Sequence, residues 1–130
     1  LAYWEPHTTG IIERLEAART AFDRCFQVSF SVEPMLDAAN IARLVGKLRP
    51  FVQAFAPRTP EIWIGKMNQV RARCQPATGE DFGQVERIEA GQTDERILEI
   101  VRALKDDPLV RFKDSIQEVC ERNGLALPAR

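Results

Sequence analysis

Two stretches of the chain, QVSFSVEPML at 27–36 and EIWIGKMN at 61–68, read as buried β-strands whose ends carry groups that a core would not select. Side chains alternate along a strand, so Ser29, Ser31 and Glu33 fall on one face of the first and Val28, Phe30 and Val32 on the other. In the second, Ile62, Ile64, Lys66 and Asn68 share a face opposite Trp63, Gly65 and Met67. The segment between them carries Ile41, Leu44, Val45 and Leu48, a helical spacing with one buried face. The unit is therefore β-α-β, which predicts parallel strands joined by a right-handed crossover. Both strands then finish at one edge, which receives Glu33 and Asp37 from the first exit and Lys66, Asn68, Arg71 and Arg73 from the second. Parallel α/β architectures bind ligands at the carboxyl ends of their strands, so this edge is the predicted location of a site.

Outward from this unit, Ile11, Leu15, Ala18, Phe22 and Phe26 predict a first helix with one buried face, its start capped by Thr8 or Thr9. Glu33-Pro34 ends the first strand, Asp37 caps the next helix, and Pro50 ends or kinks it. Over 70–91 the breakers Pro76, Gly79, Gly83 and Gly91 predict a loop with a helical turn around 82–88. Ile97, Leu98, Val101 and Leu104 form the stripe of a helix that begins at Thr93 or Asp94 and stops at Asp107-Pro108. Asp114 with Gln117 resembles a capping box for a last helix, which turns Ile116, Val119 and Cys120 inward and stops at Asn123-Gly124. The fold class is α/β, with two parallel strands and about four helices in one segment over 1–130. Its β/α units lie within 1–91, and 92–130 is a C-terminal helical extension. Two strands cannot close a barrel. They also leave long edges exposed unless helices, a second copy or a further part of the same protein covers them.

With 130 residues, 45% hydrophobic and 28% charged, the composition is that of one ordinary globular domain. A formal net charge of -1 supplies no global field to attract nucleic acid or an anionic membrane, which leaves a nucleic-acid partner open. No apolar run approaches the ~18 to 20 residues that cross a bilayer. Cys25, Cys74 and Cys120 are odd in number and far apart, which fits neither a disulfide framework nor a metal cluster and points to reduced thiols in a cytoplasmic protein. The opening LAYWEPHTTG has neither the basic start nor the apolar core of a signal peptide, and Leu1 in place of methionine reads as a fragment. His7 is the single histidine and shares that opening with Trp4. One histidine supports neither a Ser-His-Asp triad nor a zinc site.

Glu33 ends an apolar strand, and a carboxylate there must face water, pair with a cation or bind a ligand. Its structural alternative is a strand-end salt bridge to Lys66. Lys66 and Asn68 share a face, so an ammonium and an amide point into one space and can hold a carboxylate or a carbonyl. Arg71 and Arg73 read as a solvated face, because no glycine-rich phosphate loop accompanies them.

The run SVEPMLDAANIARLVGKLRPFV, then EIWIGKMN, ERIEAGQTDERILEIVRALKDDP and RFKDSIQEV, resembles the C-terminal half of a radical SAM protein of the spore photoproduct lyase-like branch. VEPMLD and IWIGKMN are the most specific parts, and YWEP resembles that family's loop leaving an earlier barrel strand. The resemblance implies the C-terminal part of a partial (β/α)6 barrel that holds S-adenosylmethionine and a [4Fe-4S] cluster in the full-length protein. Ser31 or Glu33 would reach the methionine or ribose part of the cofactor, with Lys66 and Asn68 lining the cavity. The family's CxxxCxxC motif is matched by none of the three cysteines, so the cluster ligands would belong to a missing N-terminal part of the same protein, and the fragment alone is expected to be inactive. The alternative is a stand-alone α/β binding or assembly module that homo-oligomerises through its sheet edges.

Overall fold

The computed structural model describes residues 8–74 and 79–128. Its centre is a parallel sheet of three strands in the order β1 (Ser29–Val32), β2 (Glu61–Ile64) and β3 (Val110–Phe112). Ser31 stands beside Trp63, and Trp63 beside Arg111. The β-α-β unit is thus as expected. The third strand is a correction to the two-strand reading, and it lies in the segment expected to be only helical.

Helices α1 (Ile11–Asp23), α2 (Ile41–Gln53), α3 (Val70–Arg73), α4 (Gly79–Gly91), α5 (Asp94–Leu104) and α6 (Asp114–Arg122) complete the fold, with a 3-10 turn at Ala38–Asn40. Strand order follows chain order, so right-handed crossovers carry the connecting helices to the same side of the sheet. The core shows it: Ile62, Ile64, Val110 and Phe112 pack with Ile41 and Val45 of α2, Ile97 and Val101 of α5, and Ile116 and Val119 of α6, with Phe30 and Val32 against them. The opposite face presents Ser29, Ser31, Glu61, Trp63 and Arg111, none of them buried. The sheet is open, and among the described residues its helices pack on one side.

Several local readings change. The segment over 79–91 is a helix and not a loop, because Val85 and Ile88 bury against Val70 in a second small cluster. Gly91 lets that helix end against the 3-10 turn, since a β-carbon there would sit 2.8 Å from that of Ala38. Pro50 lies inside α2, which runs on to Gln53. The N-cap of α1 is Gly10, whose N–H donates to the Glu13 carboxylate at 3.1 Å, and not a threonine. Lys113 is the N-cap of α6, and Gln117 bonds the Phe112 carbonyl at 2.6 Å instead of closing a capping box with Asp114. Asp37 accepts from the Asn40 amide and caps no backbone donor of α2. Thr93 does cap α5, and Asn123-Gly124 does end α6, with Gly124 at φ 68°.

The expected buried face of α1 is the largest departure. The helix has no buried residue, and Ile11, Ile12 and the following Phe26 are 47%, 64% and 63% exposed. Its end is closed by N–H groups of Cys25 and Phe26 on the carbonyls of Phe22 and Ala21, with Cys25 at φ 65°. Glycine usually takes that left-handed position because a β-carbon is strained there. Cys25 is exposed, so Cys25→Gly loses little packing. It is expected to stabilise the chain by about 1 kcal/mol in urea unfolding.

Candidate functional site

The uncovered sheet face carries two ion pairs with an indole between them. Glu33 directly follows β1 on the side of Ser29 and Ser31, and it pairs with Lys113, which directly follows β3. One strand-length lower, Glu61 Oε1 meets Arg111 Nη2 at 2.8 Å, and Glu61 Oε2 accepts from Trp63 Nε1 at 3.1 Å. The indole is thereby fixed by its own donor. At the carboxyl end of the strands, Glu33, Trp63, Lys113, Asp114 and Ser115 bound a shallow concavity of about 380 Å³.

Gly65 shapes this place. A β-carbon on it would fall 2.7 Å from Glu33 Oε1, so glycine lets the Glu33 side chain lie flat across the backbone of the β2 exit. The sheet ladder continues there, with Gly65 N–H donating to Val32 and Met35 N–H donating to Gly65.

Of the residues singled out in the sequence, the structure gathers Ser31 and Glu33 on the open face. The partner of Glu33 is Lys113 and not Lys66. Lys66 is half-buried, its N–H donates to Ser115 Oγ at 3.2 Å, and its charge acts on Asp94 at the start of α5. Hydrogen bonds from Arg122 and Asn123 are the main reason that the Asp94 carboxyl is lowered to about 2, with Lys66 adding to the field. Asn68 is exposed beyond the strand end. Arg71 and Arg73 stay on the surface, and Arg71 pairs with Glu89 at 2.7 Å, which raises the guanidinium pKa further. Trp4 and His7 lie outside the described residues.

Sequence reasoning missed Lys113, whose role depends on the missed strand, and Gln92. Gln92 is buried between the two strand exits, where its Nε2 donates to the Met35 carbonyl at 2.8 Å and its Oε1 accepts from Met67 N–H at 2.7 Å. One amide thus ties together the loops that carry Glu33 and Lys66. No periodicity marks such a residue, because its value lies in two backbone partners far away in sequence.

A wider hollow of about 710 Å³ lies between α4 and the 3-10 turn. Its guanidinium groups are engaged locally, Arg96 with Glu99 and Arg87 with the Gly83 carbonyl at 3.3 Å. Cys25 is exposed, Cys74 half-buried and Cys120 buried, with burial pushing the Cys120 thiol up. Among the described residues no group of three His, Cys, Asp or Glu is disposed to hold a metal ion. These residues therefore do not fit an iron-sulfur cluster. Among the same residues no helix is long and apolar enough to cross a membrane. No protein-family model, curated protein or solved structure matches the chain.

Proposed function

We propose that this chain is an α/β binding and assembly module, one wall of a chamber that further polypeptide completes by adding to β1. The observation that carries this reading is the difference between the two sheet edges. Gly65 N–H donates to Val32, and Ile62 N–H donates to Leu109, so odd residues of β2 bond β1 and even residues bond β3. By the same alternation Ser29 and Ser31 turn their backbone groups outward from β1, while Val110 and Phe112 turn theirs outward from β3. Three of the four outward backbone groups of β3 are engaged: Val110 N–H bonds Asp107, the Arg111 guanidinium covers the Val110 carbonyl at 3.0 Å, and Gln117 covers that of Phe112. Among the described residues no such side chain guards Ser29 or Ser31. The helix that leads into β1, α1, also leaves apolar side chains exposed, Ile11 and Ile12 among them. A parallel strand and its helix would cover both features.

The narrower proposal is that the completing polypeptide is the N-terminal part of a radical SAM enzyme of the spore photoproduct lyase-like branch, and that the whole is a partial (β/α)6 barrel. The segments that carry the resemblance converge in space: Glu33 of SVEPMLD, Trp63 and Gly65 of EIWIGKMN, and Lys113 and Ser115 of RFKDSI meet at one strand end. In that enzyme Ser31 and Glu33 would face S-adenosylmethionine as hydroxyl and carboxylate partners, Lys66 and Asn68 would line the approach, and the cluster thiolates would come from outside these residues. When bound, the two cofactors would supply reductive cleavage and radical initiation in the cytoplasm. The second reading, a stand-alone module without catalysis, is favoured by the lack of a metal-binding group among the described residues and has a second copy take the place of the added strand.

Both readings need the β1 edge. The chain alone is expected to self-associate at micromolar concentration, and Ser31→Pro should return it to a monomer in light scattering. Proline there removes an outward-facing N–H and leaves the β1–β2 ladder intact. A monomeric parent chain would overturn the edge argument. The coding sequence upstream of Leu1 separates the two readings: a CxxxCxxC supports the enzyme, and an immediate start codon supports the module.

A further inference from the structure

We infer that Asn123-Gly124 is a covalent modification site, at which Asn123 converts to aspartyl and isoaspartyl through attack by the Gly124 backbone nitrogen, and that the clamp between α5 and α6 sets the rate. The sequence supplies the chemistry. Of the three asparagines, Asn40 precedes Ile41 and Asn68 precedes Gln69, whereas Asn123 alone precedes a glycine, whose nitrogen no side chain shields. The Gly124 nitrogen bonds the Asn123 side-chain carbon and passes its proton to the departing amide nitrogen, which leaves as ammonia. Water then opens the resulting succinimide ring at either carbonyl. Opening at the side-chain carbonyl gives aspartate in the normal main chain. Opening at the main-chain carbonyl routes the chain through the side chain and adds one methylene to it.

The folded chain holds both reacting groups away from each other. Asn123 Nδ2 donates to Asp94 Oδ2 at 3.0 Å and to the Val119 carbonyl at 2.8 Å, and Gly124 N–H donates to the Glu121 carbonyl at 3.1 Å. Asp94 is gripped in turn by Arg122 Nε at 2.7 Å. Asn123 and Gly124 are both exposed, so the reaction waits on local release of this turn and not on global unfolding. The product cannot re-form the clamp. A carboxylate in place of the amide has no donor for Asp94 or for the Val119 carbonyl. Asp94, which Arg122 first and Asn123 second lower to about 2, is ionised at neutral pH and repels it. The isoaspartyl form also lengthens the main chain just before Gly124, at φ 68°. Beyond that point Leu125 N–H bonds the Cys120 carbonyl at 2.9 Å, and Leu125 and Leu127 pack against the core. Leu127 and Pro128 also border Trp63 and Arg111. Modification at Asn123 therefore loosens the last turn of α6 and the tail beside the open sheet face.

The test incubates the 130-residue chain in mildly alkaline buffer at body temperature and follows the peptide that contains Asn123 by mass spectrometry. A gain of about 1 Da, the exchange of an amide for a carboxyl, is expected there and not at Asn40 or Asn68, with the isoaspartyl form identified by electron-transfer fragmentation. The chain in urea should convert fastest. Asp94→Ala should convert roughly tenfold faster than the parent, since the amide loses a hydrogen bond to a charged group. Asp94→Asn keeps an uncharged acceptor, so it should fall between the two, and it replaces Asp94→Ala if circular dichroism shows that variant unfolded. Asn123→Gln should show no gain. Asn123→Asp reports the consequence, and its Leu125 N–H should exchange hydrogen faster than in the parent. Equal conversion rates in the parent and a folded clamp variant would show that the clamp does not gate the reaction. Unchanged exchange at Leu125 would overturn the loosening of the tail, and no conversion at Asn123 in urea would remove the site altogether.

Discussion

Gln92→Leu is expected to destabilise the chain by about 2–5 kcal/mol, because it leaves one buried and one part-buried backbone group without partners, at up to about 3 kcal/mol each. The groups are the Met67 N–H and the Met35 carbonyl, and Gln92 itself is only 7% exposed. Leucine preserves the bulk, so the loss comes from hydrogen bonding and not from a cavity. Gln92→Glu isolates the donor half of the amide. An ionised carboxylate still accepts from Met67 N–H but faces the Met35 carbonyl oxygen, whereas a protonated one can donate to it. Burial raises a carboxyl pKa, so Gln92→Glu should gain stability relative to Gln92→Leu as pH falls through the raised value. Urea unfolding at neutral and acid pH measures both effects. Equal stability of Gln92→Leu and the parent would mean that the strand exits are held by the ladder at Gly65 alone.

What the residues disclosed and what they hid follow one physical division. Patterns that act over one turn or one strand were legible: the alternation of β1 and β2, the stripe of α2, the Thr93 cap and the Asn123-Gly124 stop. The strand at Val110–Phe112 was not, since three residues with Val and Phe two apart give too short an alternation to separate from the helix that follows. Losing β3 also lost Lys113, and with it the partner of Glu33. Helix α1 shows the converse. Its periodicity identifies an apolar side correctly, but periodicity says nothing about what covers that side, and here it stays half bare. The candidate site was therefore readable as a strand edge with Ser31 and Glu33, and unreadable as a face with Trp63 at its centre, because facing depends on where every helix packs.

Phe55→Ala is expected to cost about 3–5 kcal/mol, the range for truncating a buried aromatic ring, and to free α1 before the rest of the chain unfolds. Phe55 is fully buried, and its ring meets those of Phe22 at 4.8 Å, Phe51 at 5.2 Å and Phe30 at 6.2 Å, all edge-on. It thus joins β1, α2 and the turn before β2 to α1, which buries no residue of its own. Further ties of α1 lie at the surface, among them the Arg19 guanidinium on the Ala54 carbonyl at 3.1 Å and Arg58 over the Phe22 ring at 4.9 Å. A variant that breaks the same contact from the exposed side separates local from global loss. Phe22 is half-buried, so Phe22→Ala should cost about 1–2 kcal/mol, less than a fully buried ring, while hydrogen exchange in α1 speeds up as much as in Phe55→Ala. Slow exchange of α1 in Phe22→Ala would show that the aromatic contact is not its anchor. Because α1 leads into the open edge of β1, a released α1 should also weaken self-association even though the edge itself is intact. That outcome would make the helix and the edge two parts of one docking surface.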